Sequence, residues 1–335
     1  VAGAGHKAKN LVLRVAVVVV AGLALYVLLP SLTVVLGAWP RLWTLNLVWL
    51  APAVVAEAAS FTCTFALQRL VLRTKAWFAV ATAGITGNAV TNVLPGGDAA
   101  GAGVQFRMLA TAGIAAGTAV GGLTASSMLG VGGLLTLPLF SLPAVLGGSG
   151  ASSGLVHAAL VGLVGFFLFA ICSLVVIATN RPLAIFGRLV QSLWNHIARY
   201  RAPVTGLDTR LLDQRNAVRS ALGQKWWQAI LLVAGRLALD YLCLLGALRA
   251  TGADPRPALV LLAYSTANVL ALVPVTPGGL GIVEASLSGM LVLAGVGAKD
   301  ALVATLAYRL ASYWLPLLSG PVAYLLFRHR YGRVK

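Results

Sequence analysis

Acidic side chains are scarce in this chain. Eight Asp and Glu stand among 335 residues, and charged residues of both signs make up 10%. A soluble domain carries about 25%, so the composition excludes an ordinary soluble enzyme. Cysteine is as sparse. Cys63, Cys172 and Cys243 lie in apolar stretches at unrelated spacings, which excludes a disulfide framework or a zinc site and leaves small packing residues. No phosphate-cradling P-loop is present, so no ATP drive is encoded. Neither a metal nor a cofactor is expected. What the chain has is apolar sequence, 59% of its residues, with a mean hydropathy of +0.90. That predicts a polytopic helical membrane protein. The formal charge of +17 raises nucleic acid as a partner. Its placement at the ends of apolar runs assigns it instead to topology and to anionic lipid head groups.

Two polar breaks organise the apolar sequence, Asn92-Val93-Leu94-Pro95-Gly96-Gly97-Asp98 and Val273-Pro274-Val275-Thr276-Pro277-Gly278-Gly279. Laid on one another by their Pro-Gly-Gly triplets, they also bring Ala112-Gly113-Ile114 onto Ala294-Gly295-Val296. This reads as an internal duplication. Proline ends a helix, and backbone left unpaired in hydrocarbon costs several kcal/mol unless protein or water satisfies it. The breaks are therefore expected at membrane depth, away from lipid and lining a cavity.

Six spans are predicted, at about 11–29, 45–67, 111–135, 155–178, 226–248 and 301–327. The first is longer than a usual signal-peptide core and reads as a helix that stays. Residues 76–109 and 258–298 are too polar or too interrupted to cross and read as two re-entrant hairpins. Gly113, Gly117 and Gly121 recur at four-residue spacing, a pattern of close helix packing. Residues 138–153 read as an uncharged loop. Residues 181–225 hold eight basic and two acidic residues among apolar ones at near-helical spacing, which predicts a basic amphipathic helix on the cytoplasmic surface. The organisation is thus a first membrane repeat at 1–180, a connector at 181–225 and a second repeat at 226–335. With both termini in the cytoplasm, nearly all basic residues fall inside and only Arg41, Arg249, Arg256 and Lys299 outside, as the positive-inside rule requires. The first hairpin then enters from the cytoplasm and the second from outside, so the repeats are inverted. Inverted repeats with broken helices are the plan of many secondary transporters.

Ionisable residues inside apolar segments are Glu57, Asp98, Arg107, Arg236, Asp240, Glu284 and Arg309. Each costs about 2.5–3.5 kcal/mol at the bilayer centre on insertion scales, so each is expected to pair or to face a wet cavity. Arg236 and Asp240, four apart, share a helix face, and an internal ion pair is one reading. Arg107 and Arg309 follow the two hairpins. They either pair with Glu284 or Asp98 across the bundle or grip a lipid phosphate bidentately.

At these residues the chain resembles a known family. Asn92-x-x-Pro95-Gly96-Gly97 with Arg107, then Thr276-Pro277-Gly278-Gly279-Leu280-Gly281-x-x-Glu284, then Arg309-x-x-x-Tyr313-Trp314-x-Pro316-x-x-x-Gly320, resemble the flippase-like membrane domain of lysylphosphatidylglycerol synthases. The likeness covers nearly the whole chain. In those synthases the domain is associated with moving the modified lipid between leaflets, while a separate soluble domain makes it. No such soluble domain is evident here, so lipid aminoacylation by this chain alone is not expected.

The resulting expectation is an all-α polytopic protein of the cytoplasmic membrane that moves a phospholipid or polyprenyl-phosphate lipid between leaflets. The candidate substrate-binding residues are Asn92, Gly96, Gly97, Asp98, Arg107, Arg236, Asp240, Thr276, Gly278, Gly279, Glu284, Arg309 and Tyr313. Two other readings stay open: a membrane-embedded enzyme acting on a lipid phosphate or glycosyl lipid, and a partner subunit of a separate lipid-modifying enzyme. A homo-oligomer is compatible with each.

Overall fold

The computed structural model describes residues 45–94, 97–146, 223–271 and 277–332, with isolated helical residues between 160 and 171. The predicted span at 11–29, most of that at 155–178 and nearly all of the connector lie outside the described residues. So do Pro95, Gly96 and Thr276 of the two breaks.

Every regular element among the described residues is helical. In order these are α1 (Leu47–Leu72), α2 (Trp77–Val93), α3 (Gly97–Thr111), α4 (Ala116–Leu146), α5 (Trp226–Ala250), α6 (Pro257–Ala271), α7 (Ile282–Leu293), α8 (Ala298–Arg309) and α9 (Leu315–Tyr331). Four stretches are long and apolar enough to cross a membrane: α1, the Ala116–Phe140 part of α4, α5, and the rod of 34 residues that α8 and α9 form together. They fall on four of the six predicted spans. The chain is an all-α polytopic membrane protein. Large apolar side chains such as Val55, Ile230, Leu231, Leu318 and Leu325 stand exposed on its outer faces, as hydrocarbon contact requires.

The hairpin arms are shorter. At 1.5 Å per residue, α2 with 17 residues reaches ~25 Å and α7 with 12 reaches ~18 Å, against a hydrocarbon core of ~30 Å. α2 and α3 fold back on one another through small residues. A side chain on Gly101 would overlap the Gly87 carbonyl and the Thr91 hydroxyl, and that hydroxyl donates to the Gly97 carbonyl at 3.3 Å. Close backbone approach is what glycine permits there.

The duplication read from sequence has a backbone counterpart. α3 ends with Ala112, Gly113 and Ile114 donating to the carbonyls of Met108, Ala110 and Leu109. α7 ends with Ala294, Gly295 and Val296 donating to Met290, Val292 and Leu291. Gly113 has φ 88° and Gly295 φ 91°. Residue for residue this is the same Schellman-type stop, at the offset that lays Gly97 on Gly279.

Packing follows the same plan. α1 and α5 pair antiparallel: Asn46 N–H donates to the Ala250 carbonyl at 3.0 Å, and near the middle of both helices the Ser60 hydroxyl donates to the Arg236 carbonyl at 3.1 Å. α2 lies along α9, and α6 along α4, so the first arm of each hairpin packs on a helix that follows the other hairpin. Two cores result, one among α1, α5, α6 and α8, the other among α2, α3 and α9.

The structure corrects two local expectations. Gly113 ends α3, so α4 starts at Ala116 and not at 111, and it continues to Leu146 through the expected loop start. Proline removes one donor without ending so apolar a helix, because membrane surroundings reward any helical bond that can still form. The predicted Gly113–Gly117–Gly121 set does not form one packing face: Gly113 precedes α4, although Gly121 is buried. Gly117 meets open space, while Gly122 lies against Leu72 and Gly133 against Val233 and Leu237.

Candidate functional site

The second break is a short 3-10 turn, Pro277–Gly279. Gly278, Gly279 and Gly281 have φ of 56°, 69° and 80°, the left-handed region that glycine enters without steric cost. α7 begins immediately afterwards with Glu284 in its first turn. Glu284 Oε2 accepts the Gly281 N–H at 2.6 Å, satisfying a helix-start donor that otherwise lacks a partner. Its Oε1 accepts from Arg309 Nε at 2.7 Å. Arg309 Nη2 also donates to the Gly278 carbonyl at 3.1 Å. One guanidinium, 8% exposed, thus ties the turn to the end of α8.

Arg309 leads into a π turn, Leu310–Trp314. Pro316 has no N–H for the Ser312 carbonyl, and the ladder widens there. The π turn sets the Tyr313 ring 4.3 Å from the guanidinium carbon of Arg309, in cation–π range. The Tyr313 hydroxyl donates to the Asn92 carbonyl at 3.0 Å. Asn92 stands in the last turn of α2, just before the first break, and its amide donates to Asn88 Oδ1 at 3.0 Å. A side chain on Gly278 would overlap the Tyr313 ring and come within 3.1 Å of the Asn92 carbonyl. The end of α2 and the second break therefore meet, with Tyr313 between them.

Of the sequence-predicted residues, Asn92, Gly278, Glu284, Arg309 and Tyr313 come together here, with Gly279 in the turn. Gly97 is buried against the backbone of Thr91, where only its small size is used. Asp98 is exposed in the first turn of α3, a favourable place for an acid beside the helix dipole. Arg107 is exposed on the same helix. Among the described residues the ion pairs are Arg309–Glu284 and, at 3.2 Å, Arg249–Asp254. Pairing of Arg107 with Glu284 or Asp98 therefore does not occur: Glu284 is taken by Arg309. The Arg236–Asp240 ion pair does not form either. Asp240 accepts instead from Tyr308, at 3.1 Å on Oδ1 and 3.0 Å on Oδ2, and from Tyr264. Arg236 turns toward α4, where a side chain on Gly130 would lie 3.2 Å from its Nη1. Tyr264 and Tyr308 escaped the sequence reading, which looked for charge. The available signal was tyrosine inside an apolar arm and tyrosine next to Arg309.

Residues 11–320 match the lysylphosphatidylglycerol synthase TM region. The chain belongs to this family. A UPF0104 membrane protein of Methanothermobacter thermautotrophicus is 34% identical over 97 residues, which are 28% of this chain. The matched stretch spans about a quarter of that relative, 26% of its length. No solved structure matches. The family makes this a lipid-related membrane protein. Glu284, Arg309 and Tyr313, quoted above for the resemblance, are the residues that close the turn.

Proposed function

We propose that the chain moves a phosphate-bearing lipid, a phospholipid or a polyprenyl-phosphate lipid, between the leaflets of the cytoplasmic membrane. Aminoacylated phospholipids are included in that class. The head group enters between the two breaks while the tails remain in lipid. The observation that carries this reading is the Arg309–Glu284 pair, held at the turn where the two breaks meet. Among the described residues its arginine donates to a carboxylate and a carbonyl. A phosphate offers the same acceptors to the guanidinium fork. An incoming head group can therefore exchange with Glu284, and Glu284 is then free to meet a cationic head group or to hold the turn through Gly281. Arg107 and Asp98, exposed on α3, are placed to meet a head group on its way in.

Supporting the transporter plan are the repeated helix stop at Gly113 and Gly295, the antiparallel pairing of α1 with α5, and arms too short to cross alone. We read the two halves as inverted, the two hairpins as re-entrant from opposite faces and both termini as cytoplasmic. The test is transfer of a labelled lipid between leaflets of proteoliposomes, with lipid chemistry monitored in parallel. Transfer without chemical change is expected, and Arg309→Ala and Glu284→Gln should each abolish it in protein that still purifies as a single species. Wild-type rates in both variants remove the pair from the site. Product formation would assign the chain to enzymes, and inactivity until a synthase is added would make it a partner subunit.

A further inference from the structure

A second polar cluster lies in the apolar core where α1, α5, α6 and α8 meet. Asp240 of α5 holds the hydroxyls of Tyr264 from α6 and Tyr308 from α8. Facing it from α1 is Glu57, 4% exposed and within hydrogen-bonding reach of both Asp240 and Cys243. Arg236, one turn before Asp240 on α5, is a cation of the same neighbourhood, yet it closes no ion pair with either acid. Arg309 lies beyond Tyr308. α4, packed on α6, brings no titratable residue.

The hydrogen bonding does not close as drawn. Glu57 Oε2 is buried with no hydrogen-bond partner among the described residues. An ionised carboxylate only accepts. Two of them facing each other leave the space between without a donor, and both phenolic protons in reach are already given to Asp240. Magnesium or calcium would need about six oxygen ligands, no group of three or more His, Cys, Asp or Glu among the described residues could hold a metal ion, and here two carboxyl groups face one another with tyrosine hydroxyls turned in as donors. A proton supplies what is missing.

We propose that Glu57 and Asp240 form a proton-binding site in which one proton is shared between the two carboxyl groups while α1 and α5 are packed together. The pair sits at the contact between α1 and α5, the helices that precede the two hairpins. Parting those helices separates the acids, admits water and lets the proton leave. Reclosure requires a proton to return. If the halves move against one another during lipid transfer, a clause that rests on the function proposed above, each cycle carries a proton.

Infrared spectroscopy of the purified protein at neutral pH tests the site itself. A protonated-carboxyl carbonyl stretch is expected in the wild type. It should disappear in Glu57→Gln and disappear or shift in Asp240→Asn. No such band in the wild type, or a band unchanged in both variants, overturns the proposal. Proteoliposomes test the coupling. Wild-type transfer should respond to an imposed pH gradient, and Glu57→Gln should lose that response. Transfer indifferent to the gradient overturns the coupling and leaves the transfer reading standing. Absence of transfer in the wild type defeats the transfer reading instead, and the infrared band still decides whether the proton site exists.

Discussion

Arg309 shows how much one side chain carries at membrane depth. Its guanidinium makes an ion pair, a backbone hydrogen bond and a ring contact at once, and lysine, with a single ammonium point, cannot reproduce that fork. Removing one member of a buried pair strands the other and typically costs about 3–5 kcal/mol, so Arg309→Ala is expected to lower the unfolding midpoint in detergent markedly. Glu284→Gln should cost less, because its amide oxygen can still accept the Gly281 N–H. Tyr313→Phe isolates a different link. It keeps the ring over Arg309 and deletes only the bond to the Asn92 carbonyl, worth about 0.5–1.5 kcal/mol. We expect a small loss of stability and a larger loss of lipid transfer, read in the same preparation. An unchanged transfer rate would show that the contact between α2 and the second break is dispensable.

Among the elements, the hairpins depend on glycine for two distinct reasons. Gly278 needs both a left-handed backbone and empty space, since Tyr313 and the Asn92 carbonyl occupy the place of a side chain. Gly278→Ala should cost about 1–3 kcal/mol in backbone strain alone, before the overlap is counted. Its signature should be a weaker Tyr313 contact, seen as increased modification of a cysteine placed at Asn92. Gly320 is helical and needs space only. A side chain there would overlap Ala89, and its carbonyl receives the Thr86 hydroxyl at 3.4 Å. Gly320→Val is therefore expected to push α9 off α2 and to destabilise the protein with little effect on the turn at Gly278. The breaks themselves were legible in the sequence, because Pro-Gly-Gly in an apolar stretch is a strong local signal. The length of α4 was not. Pro138 and Pro143 favour a loop in water, and the apolar surroundings override that preference.

For the whole molecule, the inverted, re-entrant arrangement proposed above predicts a pattern of access. Lys75 and Ala115 flank the first hairpin and Asp254 and Lys299 the second, all four exposed. Single cysteines at Lys75 and Ala115 should react with an impermeant reagent only from the cytoplasm, and those at Asp254 and Lys299 only from outside. Reaction of the two members of a pair from opposite sides would make that hairpin two full crossings. Movement of the halves is testable through a native residue. The place of a side chain on Gly235 lies 3.4 Å from Cys63 Sγ, so Gly235→Cys should cross-link α1 to α5 on mild oxidation. The oxidised protein is expected to lose lipid transfer and to recover it on reduction. Transfer that survives the cross-link would place the moving contact elsewhere.

The amino-acid sequence by itself determined the membrane class, the two breaks, the recurrence of one pattern at a single offset, and the acid and arginine of the second motif. Each is a local property: hydrophobic length, helix-breaking residues, recurrence at one offset, and charge where charge is costly. Only the tertiary structure decided the pairings. Arg309 rather than Arg107 took Glu284, and two tyrosines rather than Arg236 took Asp240. Glu57 met Asp240 because α1 and α5 run antiparallel. Those choices depend on distances between helices far apart in the chain, and spacing along one helix cannot express them.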